Sequence, residues 1–130
     1  MESDPISLVN NARRDLQTVV DLMNSYERTK DAAILSNIVK LSLSIYDNAI
    51  NAFLAVRGIR VRNPEHLSQV VHNFIPNDVV SSDLRDFLIK CFSQTDCNAD
   101  FIGARVRELG RLVDYVHSVS THSVIHRGGL

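Results

Sequence analysis

The chain has little cysteine, little lysine, almost no net charge and no long apolar run, and each shortage removes a class of protein. Its 130 residues hold two cysteines, Cys91 and Cys97. Two cysteines make neither a disulfide framework nor a paired CxxC metal site. Reduced thiols, as in a cytoplasmic protein, are the expectation. No stretch approaches the ~18 uninterrupted apolar residues of a spanning helix, so no membrane passage is expected. The opening residues, Met1 to Pro5, are acidic and lack a basic segment followed by an apolar run, so no secretory signal is expected. A net charge of −1 offers no global attraction to nucleic acid or to an anionic membrane. Any such binding must come from a local patch. Glycine-rich phosphate loops, Ser or Cys nucleophile motifs and paired catalytic carboxylates are absent as recognisable signatures. No metal site or cofactor is expected. Internal repeats and low-complexity tracts are missing, and so is any run of period-two alternation, which argues against a sheet.

What is present is ordinary globular material, 45% hydrophobic and 22% charged, in a length that suits one domain over residues 1–130. Asp4-Pro5 reads as a cap followed by proline at the first helical position. Val9, Ala12, Leu16, Val19, Val20 and Met23 then recur at helical spacing, giving an amphipathic helix to about Glu27. Thr29 can cap a second helix. Its stripe of Ile34, Ile38, Leu41, Ile45, Ala49, Ala52, Phe53 and Val56 is widened by Leu35, Leu43, Ile50 and Leu54. A helix apolar on more than one side packs against several neighbours, so this one should be central.

Gly58 ends it by taking the left-handed conformation, with Ile59 folding back on the last turn. Asn63-Pro64 repeats the cap-plus-proline signal. Leu67, Val70, Val71 and Phe74 form a short third stripe, stopped by Pro76. Ser82 can cap a fourth helix with Leu84, Phe87, Leu88 and Cys91 inward. Asn98 can cap the last long helix, whose core line is Ile102, Val106, Leu109, Val113 and Val116. From Thr121 to Leu130 the periodicity is lost and fraying is expected. The fold class is all-α, an antiparallel bundle of four to five helices.

The basic residues are 11 arginines against 3 lysines. Arginine's planar fork holds phosphate or carboxylate in two places at once, although compositional bias also produces such a ratio. Arg57, Arg60 and Arg62 gather around the second helix's end, with His66 just beyond. A helix C-terminus favours cations, which accounts for Arg57. Arg60 and Arg62 lie past the end. They can form a phosphate-binding rim with the free N–H groups that follow Pro64; the alternative is a solvated loop.

This order of elements resembles the HEPN family of small helical-bundle domains. The resemblance runs from about Asn10 to Val119. It rests on Tyr46-Asp47-Asn48-Ala49-Ile50 leading to Ala55-Val56-Arg57-Gly58-Ile59, on His66 after that turn, and on the last helix. There Arg111, Asp114 and Tyr115 resemble the family's Arg-x-x-Ala-Asp-Tyr element. The resemblance implies a nucleotide-, RNA- or protein-binding module, in a toxin–antitoxin or defence setting. It also implies a homodimer and a nucleotidyltransferase-type protein partner. Alternatively, it implies a metal-independent ribonuclease. Catalytic members carry Arg, four to six residues, then His, and Arg111 with His117 has five intervening residues.

That pair makes chemical sense. Histidine can move a proton at neutral pH, and arginine can hold a scissile phosphate. Other features oppose it. Chance yields about one such spacing in a chain of this composition, and Arg60 with His66 is a second. Leu112 stands where active members have a polar residue. On a straight helix the two side chains lie about 120° apart. Arg107, Arg111 and Asp114 share the exposed face, where Arg111 and Asp114 could form a surface ion pair. Arg105 lies at the apolar edge and needs a partner, for which Asp47 is available. His122 and His126 have helical metal-pair spacing without a third ligand.

Overall fold

The computed structural model describes residues 4–81, 83–93, 97 and 99–128, with the side chains of all of these but 64 and 122–128. Five helices run in the order α1 (Pro5–Thr29), α2 (Ala32–Arg57), α3 (Pro64–Phe74), α4 (Leu84–Ser93) and α5 (Ala99–Gly128). Among the described residues there is no strand. The all-α bundle expected from the pattern is the fold.

Local chemistry explains most helix ends. Asp4 is extended ahead of Pro5, though its side chain makes no capping bond. α1 runs past Glu27 to Thr29 and closes at Lys30, which takes the left-handed conformation at φ 55. Thr29 therefore belongs to α1: its hydroxyl donates to the Ser25 carbonyl at 3.0 Å. The cap of α2 is Asp31, whose Oδ1 accepts from the Ala33 N–H at 2.9 Å. Only Lys30 and Asp31 separate the two helices, so they fold back as a hairpin.

Gly58 ends α2 at φ 68; its N–H donates to the Ala55 carbonyl at 3.3 Å, and the Ile59 N–H reaches back to the Leu54 carbonyl at 2.9 Å. The two bonds satisfy carbonyls that the helix leaves open. Asn63 caps α3 by accepting from the His66 N–H at 2.8 Å. Ser82 and Asn98, the expected caps of α4 and α5, lie outside the described residues. No proline or glycine interrupts 121–127, and the α5 backbone is helical to Gly128.

α2 is the centre, packing against α1, α4 and α5. Its Ile38, Val39, Ile45, Tyr46, Ala49, Ile50, Ala52 and Phe53 are all buried, on more than one side of the helix. Ile102, Val106, Leu109, Val113 and Val116 of α5 line the facing surface, joined by Leu112. Two expected core residues point outward. Val20 is 41% exposed and Phe74 56%. At the latter, Pro76 pushes the preceding residue into extended backbone. Ile75, at φ −111 and ψ 127, turns into the core in place of Phe74.

The cysteines are joined. α4 ends at Ser93 and α5 starts at Ala99, which brings the Cα atoms of Cys91 and Cys97 to 5.1 Å within a disulfide. That overturns the expectation of free thiols. A disulfide persists in oxidising surroundings.

Candidate functional site

The turn from α2 to α3 gathers most of the expected binding residues. Arg60, Val61, Arg62, Asn63 and His66 line one open groove of about 790 Å³. A smaller recess beside it is lined by Val61, Arg62, Asn63, Leu67 and Arg85. Arg57 stands apart from both. Its guanidinium lies 5.6 Å from the Phe53 ring centroid, a cation–π contact at the helix C-terminus.

His66 is fixed from two sides. Its N–H donates to the Asn63 side chain, and its Nδ1 accepts the Arg62 backbone N–H at 3.3 Å. A ring nitrogen that accepts cannot carry the proton, so the neutral ring holds it on Nε2. The bond to Arg62 resembles a capping box shifted by one residue. It ties the backbone of the arginine loop to the first turn of α3.

Among the described residues, no carboxylate pairs with Arg57, Arg60 or Arg62. The ion pairs are Arg85–Asp47, Arg105–Asp83 and Arg105–Glu108. Arg60 and Arg62 are exposed guanidiniums on one short loop, with the α3 N-terminus beside them. Arg85 was not expected here. It is held at 3.3 Å by Asp47, a partner 38 positions away, so only the docking of α4 on α2 reveals it.

The α5 candidates are not brought together. Arg111 is exposed and Leu112 after it is fully buried. His117 turns towards α1, where Arg13 Nη1 lies 3.1 Å from its Nε2. No hydrogen bond joins Arg111 to His117 or to Asp114 among the described residues. Tyr115 is a packing residue, its ring 6.2 Å from that of Phe53. Arg107 and Asp114 are exposed on the same helix. The His122 and His126 side chains lie outside the description.

Arg105 does find partners, but Asp47 is not among them. Its Nη1 donates to Glu108 at 3.0 Å and to the Ser81 hydroxyl at 2.8 Å, and its Nη2 to Asp83 at 3.3 Å. Its guanidinium also covers the Phe87 ring at 4.7 Å. Burial opposes its charge, but the bonds to Glu108 and Asp83 outweigh that and hold its pKa above the ordinary value. Glu108, only 6% exposed, also accepts from the Ser81 backbone N–H. The Ser81 hydroxyl first, and Arg105 after it, hold the Asp83 carboxyl below the usual range. Nearby, burial pushes the Tyr46 hydroxyl up to about 12, with Arg85 partly offsetting it.

Among the described residues no group of three or more His, Cys, Asp or Glu could hold a metal ion, and no helix is long and apolar enough to cross a membrane. Comparison with protein-family models, with curated proteins and with solved structures found no match.

Proposed function

We propose that this bundle is a binding module for phosphate-bearing ligands, RNA or nucleotide, and that the α2–α3 turn is its binding surface. One observation carries the reading: Arg60, Arg62 and His66 line a single groove, and neither guanidinium has an acidic partner among the described residues. An exposed arginine fork without a carboxylate is free to hold phosphate in two places. The Nε2–H of His66 supplies a further donor. Because the net charge is −1, binding rests on this loop and not on the whole molecule's field. The HEPN resemblance supports RNA or nucleotide as the ligand class. It also supports a homodimer, a nucleotidyltransferase-type partner and a cytoplasmic toxin–antitoxin or defence setting. The Cys91–Cys97 disulfide counts against the cytoplasmic part of that setting, since a disulfide persists in oxidising surroundings.

The test is fluorescence anisotropy with a labelled single-stranded RNA, with ATP as competitor. Wild type binds, and affinity falls as salt rises, with a slope of about −0.7 per phosphate neutralised. Arg60→Glu with Arg62→Glu abolishes the signal. Equal binding by that variant refutes the reading.

A second reading is a metal-independent ribonuclease built across a homodimer. It is favoured by His117 lying at the surface with a guanidinium 3.1 Å from its Nε2. That guanidinium belongs to Arg13, so Arg111 would have to come from the second subunit. RNA incubated without metal, beside Arg111→Ala, His117→Ala and Arg13→Ala, decides it. Cleavage by wild type that His117→Ala removes establishes the enzyme. Intact RNA throughout, with folded dimeric protein, excludes it.

A further inference from the structure

A second recess lies away from the arginine loop, between the end of α1, the first half of α2 and the start of α5. Its volume is about 320 Å³, at the lower end of the ~300–1,000 Å³ range of small-molecule sites. The floor is apolar: Met23, Leu35, Ile38 and Ile102, of which the last two are buried. The rim carries both signs of charge, with Glu27 and Asp100 opposed to Lys30 and Arg107. Arg107 reaches over the recess, since a Cβ built on Gly103 would lie 3.9 Å from its Nη1.

Two residues here are chosen against local preference. Lys30 adopts the left-handed conformation, φ 55, where glycine or asparagine is favoured. Its ammonium is thereby set 5.5 Å from the Tyr26 ring centroid, and both residues line the recess. Gly103 stands inside α5, where alanine is the better helix former. Packing does not demand glycine there. A Cβ would meet only the Met23 Cε at 3.4 Å and the Arg107 head, both ordinary contacts. What an added side chain would do is fill the recess. Local structure disfavours both choices, and both shape the same cavity. Unfavourable local choices of this kind concentrate at ligand sites.

We infer that this recess binds a small zwitterion with an apolar side chain, of the free amino acid class. Arg107 takes the carboxylate as a bidentate partner, Glu27 takes the ammonium, and Met23, Leu35, Ile38 and Ile102 cover the side chain. A rim with charges of both signs over an apolar floor matches such a ligand better than a simple anion, which Glu27 would repel.

The test is an NMR titration of the full chain with L-phenylalanine and L-leucine. Two analogues each lack one charge: 3-phenylpropionate has no ammonium and phenethylamine no carboxylate. At least one amino acid shifts the amides of Met23, Ile38 and Gly103 saturably, and both analogues bind at least about tenfold more weakly. Gly103→Leu abolishes binding, while Arg107→Gln and Glu27→Gln each weaken it about tenfold. Gly103→Ala and Lys30→Gly raise the Tm yet weaken binding, which a merely structural recess would not do. The inference fails if neither amino acid gives saturable shifts, if the analogues bind as well, or if Gly103→Leu binds like wild type.

Discussion

Two groups of arginines behave in opposite ways. Arg105 is enclosed by Ser81, Asp83, Glu108 and the Phe87 ring. Arg60 and Arg62 stand on an open loop and form no ion pair among the described residues. The first group joins α5 to the segment ahead of α4 and serves the fold. The second adds little to stability and keeps its bonding capacity for something else. Arginine content alone does not separate these roles; the presence or absence of a partner does.

The largest effect is expected in the enclosed group. Glu108→Ala leaves the Ser81 N–H without its acceptor and Arg105 without its most buried partner. A loss of about 2–3 kcal/mol is expected, read as a lower urea midpoint with an unchanged m-value. Arg60→Ala and Arg62→Ala should each change stability by less than about 0.5 kcal/mol. If the rim variants destabilise as much as Glu108→Ala, the contrast collapses. Next in size is ligand binding. Removing either rim arginine should weaken RNA affinity about tenfold and flatten the salt slope by about 0.7, while Glu108→Gln leaves the affinity of the folded protein intact.

His66 falls between the two groups, because it fastens the open loop. His66→Ala should cost about 0.5–1 kcal/mol, since Arg62 loses a backbone hydrogen bond. His66→Gln should recover part of that, as glutamine at this position can also accept. Thermal melts of the two variants sharpen the comparison. The smallest effect comes from Asp83, whose carboxyl is held low but is largely exposed. A depressed folded pKa adds stability above the unfolded value of 3.8, and that stability is lost as pH falls through the folded value. Wild type should exceed Asp83→Asn in stability above the unfolded value and lose that advantage as pH falls through the lower folded value, read by urea melts across an acid series.

Sequence made the local punctuation legible and left the long-range pairing dark. Asn63-Pro64 and Gly58 mark helix ends because a cap and a left-handed glycine act within a few residues. The width of α2's stripe announces a central helix. Thr29 was the wrong cap because Lys30, a residue with no intrinsic bias to that shape, takes the left-handed turn. Arg105's partners, 3 to 24 positions away, depend on where the segment before α4 docks. Arg85–Asp47 spans 38 positions and Arg13–His117 spans 104, with no periodic signal. The disulfide joins cysteines only six positions apart, a spacing that by itself does not announce a bond. The arginine loop is visible as a cluster; that its members form no ion pair among the described residues is not.

The most direct measurement is a ¹⁵N–¹H NMR titration of the wild-type chain with a short single-stranded RNA. The expected result is saturable shifts confined to the amides of residues 58–67, including Arg60, Arg62 and His66. Shifts centred on Arg111 and His117 instead, or no shifts at all, would contradict the assignment of the α2–α3 turn as the phosphate-binding surface.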